Sequence, residues 1–123
     1  MTLSIESAES TESAGQTWVR VCAVSELTPG AGVAALLPDG RQVALFRTVH
    51  DEFHALSNLD PCSGAAVLAR GIVGDADGVP VVASPVYKER FDLRTGECLD
   101  ADGVRVPTYP LQVLDGVLHV GSP

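Results

Sequence analysis

Asn58-Leu59-Asp60-Pro61-Cys62-Ser63-Gly64-Ala65-Ala66-Val67-Leu68 and Ser84-Pro85-Val86-Tyr87-Lys88-Glu89-Arg90-Phe91-Asp92-Leu93-Arg94-Thr95-Gly96 decide how this chain is read. Each stretch sets a polar side chain before a proline, Asp60-Pro61 and Ser84-Pro85. Proline fixes φ and removes a backbone donor, so both stretches read as stiff loops. The span Asn58 to Gly78 as a whole carries loop chemistry, with at most one helical turn at Ser63–Leu68. Arg94-Thr95-Gly96 reads as a turn joining strands at Arg90–Leu93 and Glu97–Leu99.

Working outward, the apolar runs are short and bounded by turn residues. Thr17–Val24 alternates as a strand, and a Pro29-Gly30 turn follows it. Gly32–Leu37 and Gln42–Arg47 flank Pro38-Asp39-Gly40, where proline presets φ and glycine tolerates positive φ, so they read as a hairpin. Phe53–Ser57 and Val79–Ala83 are further strands. Thr108–Leu114 and Val117–Val120 are separated by Asp115-Gly116, a pair suited to a type I′ turn because both central residues need positive φ. Pro107 and Pro110 cannot donate to a ladder and place the entry to that strand at an edge or bulge. No window shows a sustained, capped 3.6-residue period. The expectation is all-β, a sandwich or barrel of short antiparallel strands.

The chain has 123 residues, 46% of them hydrophobic, enough for one domain with a real core. The first sixteen residues are rich in Ser, Thr, Glu and Ala and poor in bulky side chains after Ile5. They cannot bury enough apolar surface to offset their ordering entropy, so residues 1–16 are expected to be a disordered tail and 17–123 the folded domain. Sixteen acidic against eight basic residues give a net charge of −8. That argues against nucleic acid and anionic membrane surfaces as partners, since both are bound through Lys and Arg. No apolar run approaches the roughly 20 residues of a membrane span, and no basic-then-apolar secretory pattern opens the chain. Cys22, Cys62 and Cys98 are odd in number and form no C-x-x-C, as expected of free thiols in a reducing cytoplasm.

The two loop stretches resemble those of a Rieske domain. There the first loop reads Cys-Pro-His and then Gly-Ala and Leu, and the second reads Cys-Pro-x-His, an aromatic, Asp-Leu and x-Thr-Gly. The chemistry needs two thiolates on one iron and two imidazoles on the other. On that frame, Pro61, Gly64, Ala65, Pro85, Phe91, Asp92, Leu93, Thr95 and Gly96 are kept. The ligand positions hold Asp60, Cys62, Ser84 and Tyr87: a carboxylate, a thiol at a histidine position, a hydroxyl and a phenol. His50 and His54, at a turn and on a strand, and His119, in the last hairpin, are not expected to converge on the tips. The resemblance therefore implies a Rieske-like fold with a two-loop subdomain lacking the [2Fe-2S] cluster.

A Rieske-like scaffold with this loss resembles the small-subunit family of the assimilatory NAD(P)H-dependent nitrite reductases. Trp18-Val19-Arg20-Val21-Cys22, Val43-Ala44-Leu45-Phe46-Arg47 and Arg70-Gly71-Ile72-Val73-Gly74 agree with it. The resemblance implies a cytoplasmic, non-catalytic subunit that carries no cofactor or metal of its own. Its partner would be a large catalytic subunit holding siroheme, FAD and an iron–sulfur cluster, which reduces nitrite to ammonium with NAD(P)H. Asp60, Pro61, Ser63, Gly64, Pro85, Tyr87, Lys88 and Arg90 are the expected docking residues, because rigid exposed loops commonly carry function. Alternatives are a Rieske-type ferredoxin serving an oxygenase and a cluster-less adaptor for another reductase. An independent enzyme has only a lone thiol to support it.

Plainer readings stand beside these. Tyr87 fits a residue closing the former cluster cavity by packing and one hydrogen bond. Asp60 fits a turn cap, and Cys62 a quiet small hydrophobe. Lys88 and Arg90 fit solvated charges or partners of Asp60 or Glu89. His50 and His54, four apart off a helix, do not make a metal pair, and no paired-carboxylate site is visible.

Overall fold

The computed structural model describes residues 3–5, 9–13 and 16–121. Eleven strands run in chain order: β1 Leu3–Ile5, β2 Glu9–Ser13, β3 Gln16–Ala23, β4 Ala31–Leu36, β5 Gln42–Arg47, β6 Phe53–Ser57, β7 Ile72–Ala76, β8 Val79–Ala83, β9 Arg90–Asp92, β10 Leu111–Leu114 and β11 Val117–Gly121. Two single turns of 3-10 helix, Val24–Glu26 and Leu68–Arg70, are the only helical elements among the described residues. The all-β expectation therefore holds. Three sheets form, in the orders β1-β4-β5-β6, β10-β11-β3-β2 and β7-β8-β9. Every pairing is antiparallel except β1 with β4.

β5 organises the molecule. Val43, Ala44, Leu45 and Phe46 are all fully buried, as a strand covered on both faces requires. Alternation along the strand sends Val43 and Leu45 into one core with Val19, Leu118 and Val120. It sends Ala44 and Phe46 into the other, with Leu68, Val82, Phe91 and Val106. The first core joins the two larger sheets. The second carries the β7-β8-β9 sheet and with it the two proline-bearing loops.

Several sequence expectations change. Within segment 1–16, read from the sequence as a disordered tail, Leu3–Ile5 pairs with β4 and Glu9–Ser13 pairs with β3, and residues 1, 2, 6–8, 14 and 15 lie outside the described residues. Backbone groups on open sheet edges take up these segments, a route that apolar composition does not report. The span read as loop to Gly78 contains β7, paired with β8 across Asp77 (φ 51) and Gly78 (φ 88). The helical turn falls at Leu68–Arg70 rather than Ser63–Leu68. Glu97–Leu99 is not a strand and makes only isolated bridges, Phe91 to Cys98 and Glu97 to Arg105. The strand anticipated from Thr108 starts at Leu111, after both prolines.

Candidate functional site

The first loop leaves β6 at Asn58 and the second leaves β8 at Ser84. Asn58 is 2% exposed and fixes the base of the first loop. Its Nδ2 donates to Gln42 Oε1 (3.0 Å) and to the Ala66 carbonyl (3.2 Å), and its Oδ1 accepts from the Ala69 N–H (2.7 Å). A buried amide so fully used fixes the chain path around it. This role of Asn58 leaves no local signal in the sequence, since its partners lie up to sixteen residues away.

Asp60 and Ser84, at the positions of the two Rieske cysteines, meet. The Ser84 hydroxyl donates to Asp60 Oδ2 at 2.5 Å, and both residues are buried. Asp60 Oδ1 accepts the Cys62 N–H at 2.9 Å, closing an Asx turn. The Gly64 N–H donates to the Asp60 carbonyl (2.8 Å), and the Asp60 N–H to the Ala65 carbonyl (2.9 Å). In the second loop, Ser84 Oγ accepts the Val86 N–H (3.2 Å) and the Ser84 carbonyl accepts the Lys88 N–H (3.0 Å). Burial pushes the Asp60 carboxyl up, but the Ser84 hydroxyl and the Cys62 and Ser63 donors outweigh it and hold Asp60 below the usual carboxylate range.

The histidine positions differ. Cys62 is exposed, and Tyr87 is 64% exposed. Tyr87 therefore stands in solvent and does not close a cavity. The Cys62 thiol is pushed up, first by desolvation and then by the negative charge of Glu89 and Asp60, so it is no activated nucleophile. Pro61 and Pro85 are exposed at the tips, and Ser63 Oγ accepts the Ala65 N–H at 3.2 Å. Gly64 has φ 75, the conformation that favours glycine in this turn. Lys88 also adopts positive φ, at 67°.

Arg90 pairs with neither Asp60 nor Glu89. Its Nη2 lies 2.8 Å from Asp100 Oδ1, its Nε donates to Oδ2 at 3.1 Å, and its backbone N–H donates to Oδ2 at 2.8 Å. Glu89, absent from the sequence-derived site, comes within reach of the first loop. One ligand-competent atom each of Asp60, Cys62 and Glu89 lies within 4.8 Å of the others. The left-handed turn at Lys88 precedes Glu89, and side-chain pattern gives no signal for it.

The three histidines stay apart from this cluster. His50 lines a cavity with Val73 and Pro80, and His54 lines a second with Arg94 and Tyr109. His119 Nδ1 lies 3.2 Å from the Val117 carbonyl. A two-iron cluster needs two thiolates and two imidazoles. One thiol, a phenol in solvent and a carboxylate already bonded to a serine do not fit that group.

A two-loop subdomain on an all-β base defines a Rieske-like domain, and the family model of the Rieske-like [2Fe-2S] domain matches residues 17–121. Two curated relatives narrow the class. The nitrite reductase (NADH) small subunit of Salmonella typhimurium is 41% identical over 104 residues, covering 84% of this chain and 95% of that protein. A nitrite reductase [NAD(P)H] large subunit from Klebsiella oxytoca is 43% identical over 105 residues, which are 85% of this chain but 11% of that protein. Among solved structures, a Mycobacterium tuberculosis protein provisionally described as an NADH-dependent nitrite reductase small subunit superposes with a TM-score of 0.84 at 50% identity, covering 88% of this chain and 96% of that one. The ferredoxin of carbazole 1,9a-dioxygenase from Nocardioides aromaticivorans follows at 0.72 and 30%, covering 84% and 95%. The chain belongs to the family of nitrite reductase (NADH) small subunits.

Proposed function

We propose that this chain is the small, non-catalytic subunit of an NAD(P)H-dependent nitrite reductase and docks on the large subunit through its two loop tips. The observation that carries this reading is the replacement of the inner ligand pair by the Asp60–Ser84 hydrogen bond in a chain otherwise matched along its length to such small subunits. The loops keep their shape by hydrogen bonding where Rieske proteins use iron. Shape, rather than electron transfer, is then what the subunit contributes, and it binds no two-iron cluster. The ferredoxin alternative lacks support at the ligand positions.

The Klebsiella protein supports the partner. A segment like this chain occurs there within a polypeptide named as the large subunit. Two functions joined in one chain in one organism act side by side, which favours a direct contact where they are separate chains. Siroheme, FAD and an iron–sulfur cluster are assigned to that large subunit, and the assembly to the cytoplasm. Among the described residues no helix is long and apolar enough to cross a membrane.

The docking surface comprises Pro61, Ser63, Gly64, Pro85, Tyr87, Lys88 and Arg90; Asp60, expected among them, is fully buried and holds the first loop in shape from beneath. Within it Tyr87 is the anchor: it is 64% exposed, and exposed aromatic residues at loop tips are favoured in interface cores. Co-purification of the tagged large subunit with the double variant Tyr87→Ala, Lys88→Glu tests the surface. Loss of most of the captured large subunit and of nitrite-dependent NAD(P)H oxidation is expected. Undiminished capture and activity would reject these tips as the docking face.

A further inference from the structure

The cluster of Asp60, Cys62 and Glu89 joins side chains from both loops. Asp60 is fully buried, Glu89 partly buried and Cys62 exposed. Glu89 Oε2 is shut off from solvent and makes no well-formed hydrogen bond, the only donor among the described residues acting on the Glu89 carboxylate being the weak thiol of Cys62. A carboxylate oxygen left in that state carries a desolvation cost that only a donor or a cation removes. Among the described residues, no Lys or Arg forms an ion pair with Asp60 or Glu89, and Arg90 is committed to Asp100. Two carboxylates and a thiol therefore converge with no counter-charge.

We infer that Asp60, Cys62 and Glu89 bind one divalent transition-metal ion, with zinc the best fit to the donor set. Zinc accepts thiolate and carboxylate ligands and works with three protein ligands and one open position. Its bond lengths put neighbouring donor atoms about 3.3–3.8 Å apart. The present separations, all within 4.8 Å, lie somewhat above that range, so the three side chains would draw together on binding. Asp60 is already oriented by Ser84 and by the Cys62 N–H, bonds that leave lone pairs on both oxygens. Such outer partners are what hold ligating carboxylates in place. Cys62 opens to solvent and provides the entry path and the fourth position. Glu89 stands outside the four positions of the Rieske frame, so this is a different site from the lost cluster. The inference does not depend on the docking role.

Cobalt(II) reports on the site through its thiolate charge-transfer and tetrahedral d–d absorption. The full chain is stripped with EDTA, dialysed and titrated with cobalt, then with zinc as competitor. One cobalt per chain with a thiolate band that zinc bleaches is expected. Cys62→Ser should abolish the band, Cys98→Ala should keep it, and Glu89→Gln should weaken cobalt affinity at least tenfold. Circular dichroism confirms the fold of each variant, and both Cys62 and Glu89 lie outside the two cores. Absence of the band, its survival in Cys62→Ser, or unchanged affinity in Glu89→Gln would each overturn the assignment.

Discussion

The hydroxyl of Ser84 sits 2.5 Å from the carboxylate of Asp60 and ties together two loops that are 24 residues apart in sequence. Hydrogen bonds to a charged group contribute more than neutral ones, and removing the donor leaves a buried carboxylate short of a partner. Ser84→Ala in metal-free protein should cost about 1.5–3 kcal/mol, read as a lower urea midpoint at unchanged slope. Amide exchange should quicken in segments 60–65 and 84–90 before it does in β5. An unchanged midpoint would show that the loops hold without this bond.

His54 gives the domain an acid-sensitive element. Burial is the chief cause of its lowered pKa, and the nearby carboxylates of Glu52 and Asp92 only partly oppose it. Its folded value lies below the ordinary 6.5, so between the two values the unfolded chain binds more protons than the folded one. Stability therefore rises with pH through this window and falls as pH drops from 6.5 toward the folded value. His54 Nε2 is buried without a partner and offers the added proton no acceptor. Denaturation midpoints at pH 7.5 and 5.5 should converge in His54→Gln. Equal slopes in both proteins would exclude His54 as the source.

Asp100 responds at lower pH. The Arg90 side chain and backbone N–H hold its carboxyl down at about 2, against an ordinary 3.8. A depressed carboxyl contributes stability that is complete above 3.8 and lost as pH falls toward 2. The pair is solvent-accessible, with side-chain exposures of 47% and 36%, so salt should weaken it. Following the Asp100 carboxyl by NMR should give a titration near 2 at low salt, rising toward 3.8 in Arg90→Gln.

Gly96 and Gly103 separate two costs of a side chain. Both have positive φ, 82° and 77°. A Cβ at Gly96 would run into the Val106 carbonyl, whereas at Gly103 it would meet nothing within 4 Å. Gly103→Ala should lose only the backbone term, on the order of 1 kcal/mol. Gly96→Ala should lose clearly more and also disturb the Gly96–Val106 hydrogen bond of 2.8 Å. Equal losses in thermal melts would mean that the chain yields at Val106 without penalty.

The sequence announces those parts of the fold where one physical cue dominates. The unbroken apolar run Val43-Ala44-Leu45-Phe46 marks the strand buried on two faces. Asp115-Gly116 marks the β10–β11 hairpin, and both residues take positive φ, 51° and 74°. β7 is hidden because Ile72 is 73% exposed, and Gly74, Asp75 and the Asp77-Gly78 turn look like loop chemistry. At the site, the proline frame makes Asp60, Cys62, Ser84 and Tyr87 legible as positions. Their contacts are not legible. That Ser84 bonds Asp60, that Arg90 chooses Asp100, and that Glu89 reaches the first loop all depend on how the chain turns at Lys88 and Asp60, which composition does not encode.

Because neighbouring residues of β5 are rooted in opposite cores, the platform bearing the loops has no seam along which to part from its base. Adjacent Leu45 and Phe46 thus tie the two cores together along a single strand. A substitution that disturbs Leu118 in one core should for that reason also loosen the loop-bearing sheet rooted in the other.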